Sequence, residues 1–485
     1  MNKYTELNKS FLNGQWEEGE ENNTFDIENP YNNDVLTTVK LASKNQVEEA
    51  FDNAKKAQKE WAKDSQKRRD VMEKAIQYYK DNKDDIIDLL VIESGSSVLK
   101  SNIEYNNTVA VMEESLKMVD KLGQVTETPS IIENKVNYSY RLPLGVISSI
   151  APFNFPMYLS MRTIAPALAL GNAVVHKADL QVGLCSGSLI AKAFEAAGMP
   201  AGVFQSILTK SSTIGDTMIE NKNVALISFT GSTEVGKRIG SIAGGLLKGV
   251  ALELGGNGPF VVLKDADIDQ AVKAAAFGKF LHSGQICMIT NRIIVHKDLY
   301  DEFVEKFVER VKNIPYGDPR DPKTIIGPLI NEGQVKKGVD NIQNAIDAGT
   351  EVLLKGERIG NVLTPTIFGH VKNDSELAQT ELFAPIAPII KADSDEEAIE
   401  MANDTRYGLS SSIFSGNIEK ATDYALYLEF GMTHVNDQPV NDEPTVPFGG
   451  MRDSGVGRFG NPSVVEEFTY QKWISVQTKP REYPF

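Results

Sequence analysis

Behind Ser43 the apolar residues fall into a helical rhythm: Val47, Ala50, Phe51, Ala54, Ala57 and Trp61, the spacing of a helix with one buried face. Ser43 with Gln46 three positions on fits a capping box. Further helical patterns cover about 68–94 and 100–121. Upstream, SFLNGQW and FDIENPYNNDVLTTV read as short polar strands joined by Asn-Pro and Asn-Asn turns. At 122–140 the rhythm changes to β-formers alternating with polar residues around Val136, Tyr138 and Tyr140. This predicts an extended hairpin that leaves the body of the domain.

From residue 144 strands and helices alternate. LGVISSI, NAVVHK, GVFQSIL and VALISF read as strands, with helices between them that include Ser186–Ala197. Such alternation predicts a doubly wound parallel sheet. A second alternation starts near 258: GPFVVL a strand, 267–282 a helix, NRIIVH a strand, 298–313 a helix. Then come TPTIFGHV, a helix over 395–403, SSIFSG, a helix over 417–428, and MTHVN. No repeat or low-complexity linker divides the chain, and the glycine-bearing stretch Glu253–Gly258 is the expected boundary. The tail from 465 to 485 contains a strand-like piece, FTYQKWISVQT, expected to pair with the 122–140 hairpin of another subunit.

Composition supports several cores. Of the 485 residues 41% are hydrophobic and 24% charged, ordinary for a globular chain. The length predicts about two to four domains. A formal net charge of −16 disfavours binding to nucleic acid or to an anionic membrane. The polar N-terminus, MNKYTELNKS, lacks a secretory pattern. The apolar stretches near 144–152 and 163–175 are broken by Pro and Gly and fall short of the ~18–20 residues of a membrane span. A soluble, cytoplasmic protein is expected. Two cysteines make no disulfide framework, and His176, His282, His296, His370 and His434 show no metal-ligand spacing, so no metal is expected.

Four features carry chemistry. Cys287, in SGQICMITNR, sits close to Gly284, which permits close approach of another group. Glu253, in ALELGGNGPF, is a carboxylate inside an apolar run, where desolvation raises the pKa toward that of a general base. Asn154, in APFNFPMYL, follows the strand LGVISSI, and an amide at the C-terminal end of a parallel strand can donate to a developing oxyanion. FTGSTEVGKRIG, residues 229–240, follows a strand and opens a helix, whose first N–H groups favour a phosphate. Each alone has a plainer reading: a buried thiol, as for Cys185, a strand-end charge, a turn asparagine, an ordinary strand–turn–helix. Together they suit nucleophilic attack on a carbonyl beside a dinucleotide.

With PFNFP at 152–156, a strand ending in Lys177, FTGSTEVG at 229–236, ELGG at 253–256, GQIC at 284–287, ELFAP at 381–385 and PFGGMRDSGVGR at 447–458, nearly the whole chain resembles the aldehyde dehydrogenase superfamily. The resemblance implies an α/β fold with a Rossmann-like NAD(P)-binding domain (1–121 and 142–254), an α/β catalytic domain (255–462) and a small β-stranded oligomerisation segment (122–141 and 463–485). It implies a homodimer or homotetramer acting on a small-molecule aldehyde. By motif match Cys287 is the nucleophile, Asn154 with the Cys287 N–H the oxyanion hole, and Glu253 the base for the deacylating water. Lys177 would bond the adenosine ribose, Gly231, Ser232 and Gly236 would lie near the pyrophosphate, and Glu381 would hold the nicotinamide ribose. Phe383 would pack on the nicotinamide, with Phe153 and Leu254 also at the cofactor.

The sequence departs from the commonest pattern of the superfamily at three places. Leu180 stands where a Glu three residues after the Lys favours NAD over NADP, so either cofactor is allowed, with Asp179 beside it. Ala384 replaces a Gly, and Phe459 replaces a Glu tied to proton relay. VNDQPVNDEPTVPFGGM, GRFG and MRTIAPALALGNAVV together resemble the benzaldehyde, vanillin and salicylaldehyde dehydrogenase branch. A pocket of Phe155, Tyr158 and Leu281, beside Phe153, would suit an aromatic or other apolar aldehyde. Two other readings are a CoA-acylating enzyme, against which Glu253 argues, and a non-catalytic protein on the same fold. His282, five residues before Cys287, is assigned to structure.

Overall fold

The computed structural model describes residues 2–485. Its largest sheet has eight strands in the order Gln15–Glu17, Ser10–Leu12, Phe204–Ile207, Ala173–Lys177, Val146–Ile150, Val224–Thr230, Gly249–Glu253, Gly455–Val456. From Phe204–Ile207 to Gly249–Glu253 the pairing is parallel, and the outer strands join antiparallel. The chain order reverses between Val146–Ile150 and Val224–Thr230, the kind of switch point at which open α/β sheets bind ligands. The seven-stranded sheet runs Glu351–Leu354, Thr366–Gly369, Ile386–Ala392, Thr290–His296, Gly258–Val262, Ser410–Phe414, Met432–Val435. All its pairs are parallel except the first.

The helix Lys44–Trp61 starts from the capping box expected at Ser43 and Gln46, with both reciprocal bonds formed. Its apolar stripe, Val47, Ala50, Phe51 and Ala54, is buried against the strands. The pattern over 68–94 is two helices, Ser65–Asp81 and Lys83–Ser94, because Asn82 leaves helical geometry (φ −117°, ψ 20°) between them. The pattern over 100–121 is the helix Val98–Lys117 followed by a 3₁₀ turn. The helix Pro156–Ala169 has every residue buried, as its nearly unbroken apolar sequence requires. Ser186–Ala197 is not uniform: Leu184–Ser188 is a π-turn, and the α-helix proper is Leu189–Ala196. The helix Glu332–Asp347 was not anticipated. Only Val335, Gly338 and Ala345 of it are buried, too thin a stripe to stand out.

The tail strand Thr469–Gln477 pairs with Lys135–Pro143 of its own chain, antiparallel from Thr469↔Pro143 to Gln477↔Lys135, and Val125–Pro129 completes a three-stranded sheet. This corrects the expected pairing across subunits. The chain leaves Ser463–Glu467 already beside its partner: Leu144 N–H and Asn172 Nδ2 both donate to the Phe468 carbonyl. Arg141 ties Thr469 (2.8 Å) and Glu466 (2.5 Å).

Candidate active site

Four neighbouring parallel strands of the eight-stranded sheet end on one edge. Ala173–Lys177 ends in Lys177, Val146–Ile150 leads into Asn154, Val224–Thr230 leads into Gly231, and Gly249–Glu253 ends in Glu253. Against this edge lie the beginnings of three neighbouring strands of the other sheet. Glu381 and Phe383 precede Ile386–Ala392, Cys287 precedes Thr290–His296, and the glycines after Glu253 lead into Gly258–Val262. The candidate residues therefore meet where the C-terminal ends of one sheet face the N-terminal ends of the other.

Glycines make the approach possible. A Cβ on Gly256 would lie 2.2 Å from the Cys287 carbonyl oxygen, so the chain after Glu253 runs directly over the Cys287 backbone. A Cβ on Gly255 would lie 2.6 Å from the Glu381 carboxylate, which accepts the Gly256 N–H at 3.0 Å. Before Cys287, His282, Ser283 and Gly284 are all left-handed (φ +51°, +57° and +77°), a costly run for the two side-chain-bearing residues. It brings Gly284 so close to Ala384 that a Cβ would sit 2.5 Å from the Ala384 carbonyl oxygen.

Cys287 opens on a cavity of about 250 Å³. Asn154, Phe155, Tyr158 and Leu281 line it, and so do Arg162 and Asp442, whereas Phe153 and Glu253 are not among its lining residues. Asn154 is 4% exposed and its amide makes no hydrogen bond within the chain among the described residues. Burial pushes the Cys287 thiol up to about 12, against the pull of Arg162. Glu253 is 2% exposed and both carboxylate oxygens lack a hydrogen-bond partner among the described residues. Burial raises it to about 8, again opposed by Arg162. At neutral pH it is a largely protonated acid, poised to become a base.

Arg162 is the feature sequence reasoning missed. It pairs with Asp442 at 2.9 Å, both side chains almost fully buried. Its guanidinium carbon lies 4.4 Å from the Phe448 ring centre and 4.7 Å from that of Phe459. Phe448 and Phe459 thus clamp a cation between them. The available signal was an arginine inside the apolar run MRTIAPALAL, the anomaly that singled out Glu253. His282 is buried, with its ring edge-on to Phe155 at 6.1 Å and no partner for Nε2 among the described residues.

On the other side of Cys287 the strand ends form a cradle. Ser232 is the N-cap of the helix Thr233–Gly245 but its hydroxyl makes no capping bond. Gly231 N–H donates to the Glu253 carbonyl at 3.0 Å, and a Cβ on Gly231 would strike the Phe229 ring. A Cβ on Gly236 would lie 2.2 Å from Leu254, whose side chain fills the notch. Phe383, left-handed at φ +42°, meets Phe153 edge to face at 6.0 Å. The Lys177 amine is almost buried, has no hydrogen-bond partner among the described residues, and is depressed by burial while Asp179 pulls it upward. The Asp179 carboxylate caps the turn Leu180–Val182 through Gln181 N–H (2.9 Å). Leu180 belongs to the apolar core. A vacant capping hydroxyl, a free helix N-terminus and an unpartnered amine, with glycines that keep the floor open, fit a dinucleotide.

The model of the aldehyde dehydrogenase family matches residues 16–474. The Bacillus subtilis protein AldY is 60% identical over 480 residues, 99% of each chain. The benzaldehyde dehydrogenase YfmT of the same organism is 43% identical over the whole of both chains. Among solved structures, an NAD-dependent benzaldehyde dehydrogenase from Corynebacterium glutamicum superposes with a TM-score of 0.90 at 40% identity, covering 99% of this chain and 98% of the other. A thiol and a buried carboxylic acid near the edge where two α/β sheets meet are thus part of a match that spans nearly the full chain: it belongs to the aldehyde dehydrogenase family, and it oxidises aldehydes to carboxylic acids with NAD or NADP as hydride acceptor.

Proposed function

We propose that Cys287 is the nucleophile, Asn154 the side-chain donor of the oxyanion hole, Glu253 the base for hydrolysis, and an aromatic or similarly apolar aldehyde the substrate. The observation that carries this reading is one small cavity into which both Cys287 and Asn154 project, walled by Phe155, Tyr158 and Leu281. At about 250 Å³ it lies below the ~300–1,000 Å³ of drug-sized sites and takes a single ring.

The Cys287 thiol loses its proton to water and its sulfur attacks the aldehyde carbon, while the Asn154 amide with the Cys287 N–H holds the oxyanion. When bound, the nicotinamide supplies the acceptor for the hydride that leaves that carbon. Collapse of the oxyanion leaves a thioester on Cys287. Glu253, once ionised, takes a proton from water, whose oxygen attacks the thioester carbon. The carboxylic acid departs and the thiol returns. A base buried without partners suits hydrolysis, whereas acyl transfer to CoA would need none.

Lys177 would bond the adenosine ribose, Gly231, Ser232 and Gly236 the pyrophosphate, and Glu381 the nicotinamide ribose, with Phe153, Leu254 and Phe383 against the rings. Leu180 lies in the apolar core and offers no carboxylate to repel a 2′-phosphate, so the site accommodates NAD or NADP. The eight-stranded sheet is then the cofactor domain, the seven-stranded one the catalytic domain. The exposed Tyr470, Trp473 and Ile474 of the tail strand serve a homodimer or homotetramer, in the cytoplasm.

The test is the initial rate of reduced-nicotinamide formation with benzaldehyde against a short aliphatic aldehyde. A kcat/KM preference for benzaldehyde above about tenfold, roughly 1.4 kcal/mol, is expected. Equal values would remove the aromatic assignment.

A further inference from the structure

The helix Pro156–Ala169 begins two residues after Asn154, yet its N-cap, Phe155, makes no side-chain capping bond. Pro156 has no N–H, and the Leu159 N–H donates to the Phe155 carbonyl. Two orphan donors remain, Met157 N–H and Tyr158 N–H. Both go to one oxygen of Glu104, at 2.9 and 3.2 Å. The cap of this helix is thus borrowed from the helix Val98–Lys117, more than fifty positions away. The other Glu104 oxygen accepts from Lys100 at 2.5 Å, and both side chains are 0% exposed. The Lys100 ammonium lies 4.1 Å from the centre of the Phe155 ring. His282, at the head of the left-handed run before Cys287, meets the same ring edge-on. A continuous chain of contacts therefore runs from Lys100 and Glu104 through the PFNFP turn to the Cys287 loop.

A fully buried ion pair is costly to desolvate, and apolar replacement of such pairs is often neutral or stabilising. Stability alone gives little reason for this one. We infer that Glu104, tethered by Lys100, is a positioning residue: it fixes the helix start that carries Asn154, and so sets the oxyanion amide against the Cys287 sulfur. This rests on the proposed role of Asn154.

The experiment compares two charge-free pairs that differ only in the acceptor offered to the helix. K100M/E104L offers none, and K100M/E104Q offers an amide oxygen. The readouts are single-turnover formation of reduced nicotinamide with benzaldehyde, aldehyde KM, cofactor affinity by fluorescence titration, and melting temperature. K100M/E104L is expected to lose about tenfold to a hundredfold in rate, as small misplacements at a reacting centre do, with KM and cofactor affinity unchanged within about threefold. K100M/E104Q is expected to recover most of the rate. Added to Asn154→Ala, K100M/E104L should cost nothing further. Lys100→Met alone keeps the cap but frees its tether, and a smaller loss is expected even if K100M/E104L is not recovered folded; a parental rate would overturn the inference. Equal rates for the two pairs, a loss confined to KM or cofactor affinity, or an undiminished loss in the Asn154→Ala background would also overturn it. An Asn154→Ala enzyme at parental rate removes Asn154 from the chemistry and this role with it. A slow Asn154→Ala enzyme beside a parental K100M/E104L removes the positioning role alone.

Discussion

Cys287 and Glu253 are both harder to ionise than free side chains, because each is buried and Arg162, the cation that favours their anions, is already paired with Asp442. With Glu253 at about 8, its base form is a minority at pH 7 and dominates above pH 8. Thioester hydrolysis should therefore rise between pH 7 and 9 and level off, as read from steady-state turnover. Glu253→Gln should keep the first burst of reduced nicotinamide but lose turnover and its pH-dependent rise. The same shift has a cost in stability: the unfolded carboxyl ionises near the model-compound value of 4.5, so stability contributed by protonated Glu253 is complete below that pH and is lost as pH rises through about 8. Glu253→Gln should remove this loss and be more stable than the parent at pH 8, by on the order of 1 kcal/mol or more, in urea titrations. For Asn154→Ala a fall of about 10²–10³ in turnover is expected; an unchanged rate would exclude it from the oxyanion hole. Glu253 stands out in its own run as a carboxylate among apolar residues, whereas Cys287 and Asn154 draw notice only in combination with it and with the motifs around them. Arg162 is as odd in its own run, but its partner lies 280 positions away, and only the fold pairs them.

At the scale of elements, the two glycines of ELGG act as clearance. Gly256→Ala would drive a methyl group to 2.2 Å from the Cys287 carbonyl oxygen, a backbone atom that cannot swing aside. The loop must retreat, so a stability loss of about 1–3 kcal/mol should accompany near-complete loss of turnover, measured by denaturant melts and aldehyde assays on one preparation. Strands and helices with a full apolar period were readable, including the capping box at Ser43. The break at Asn82 was not, since the apolar residues on either side keep helical spacing. The π-turn at Leu184–Ser188 was not either: Glu93, from a distant helix, accepts the Leu184 and Cys185 N–H groups, a contact no local pattern encodes. Glu104 caps the helix Pro156–Ala169 by the same long-range means.

Across the whole molecule, the sheets were legible as two runs of alternating elements, but their mutual arrangement was not. Motif order implies which residues gather, while the meeting of one sheet's C-terminal edge with the other's N-terminal edge depends on contacts such as Gly256 over Cys287. Since thiol and base reach the site from different sheets, a slight parting of the two should stop turnover while each sheet stays folded. Heating should therefore abolish activity several degrees before far-UV ellipticity falls; coincident transitions would show that the sheets separate only on global unfolding.

The strand that ends in Glu253 has its outer neighbour in Gly455–Val456. During synthesis the chain must pass residue 456 before this edge is covered. Until then the growing chain carries an open parallel strand, the sort of edge that recruits other chains. Fragments stopping short of residue 455 keep that edge for good, and belong with aggregates and proteases rather than with the working enzyme.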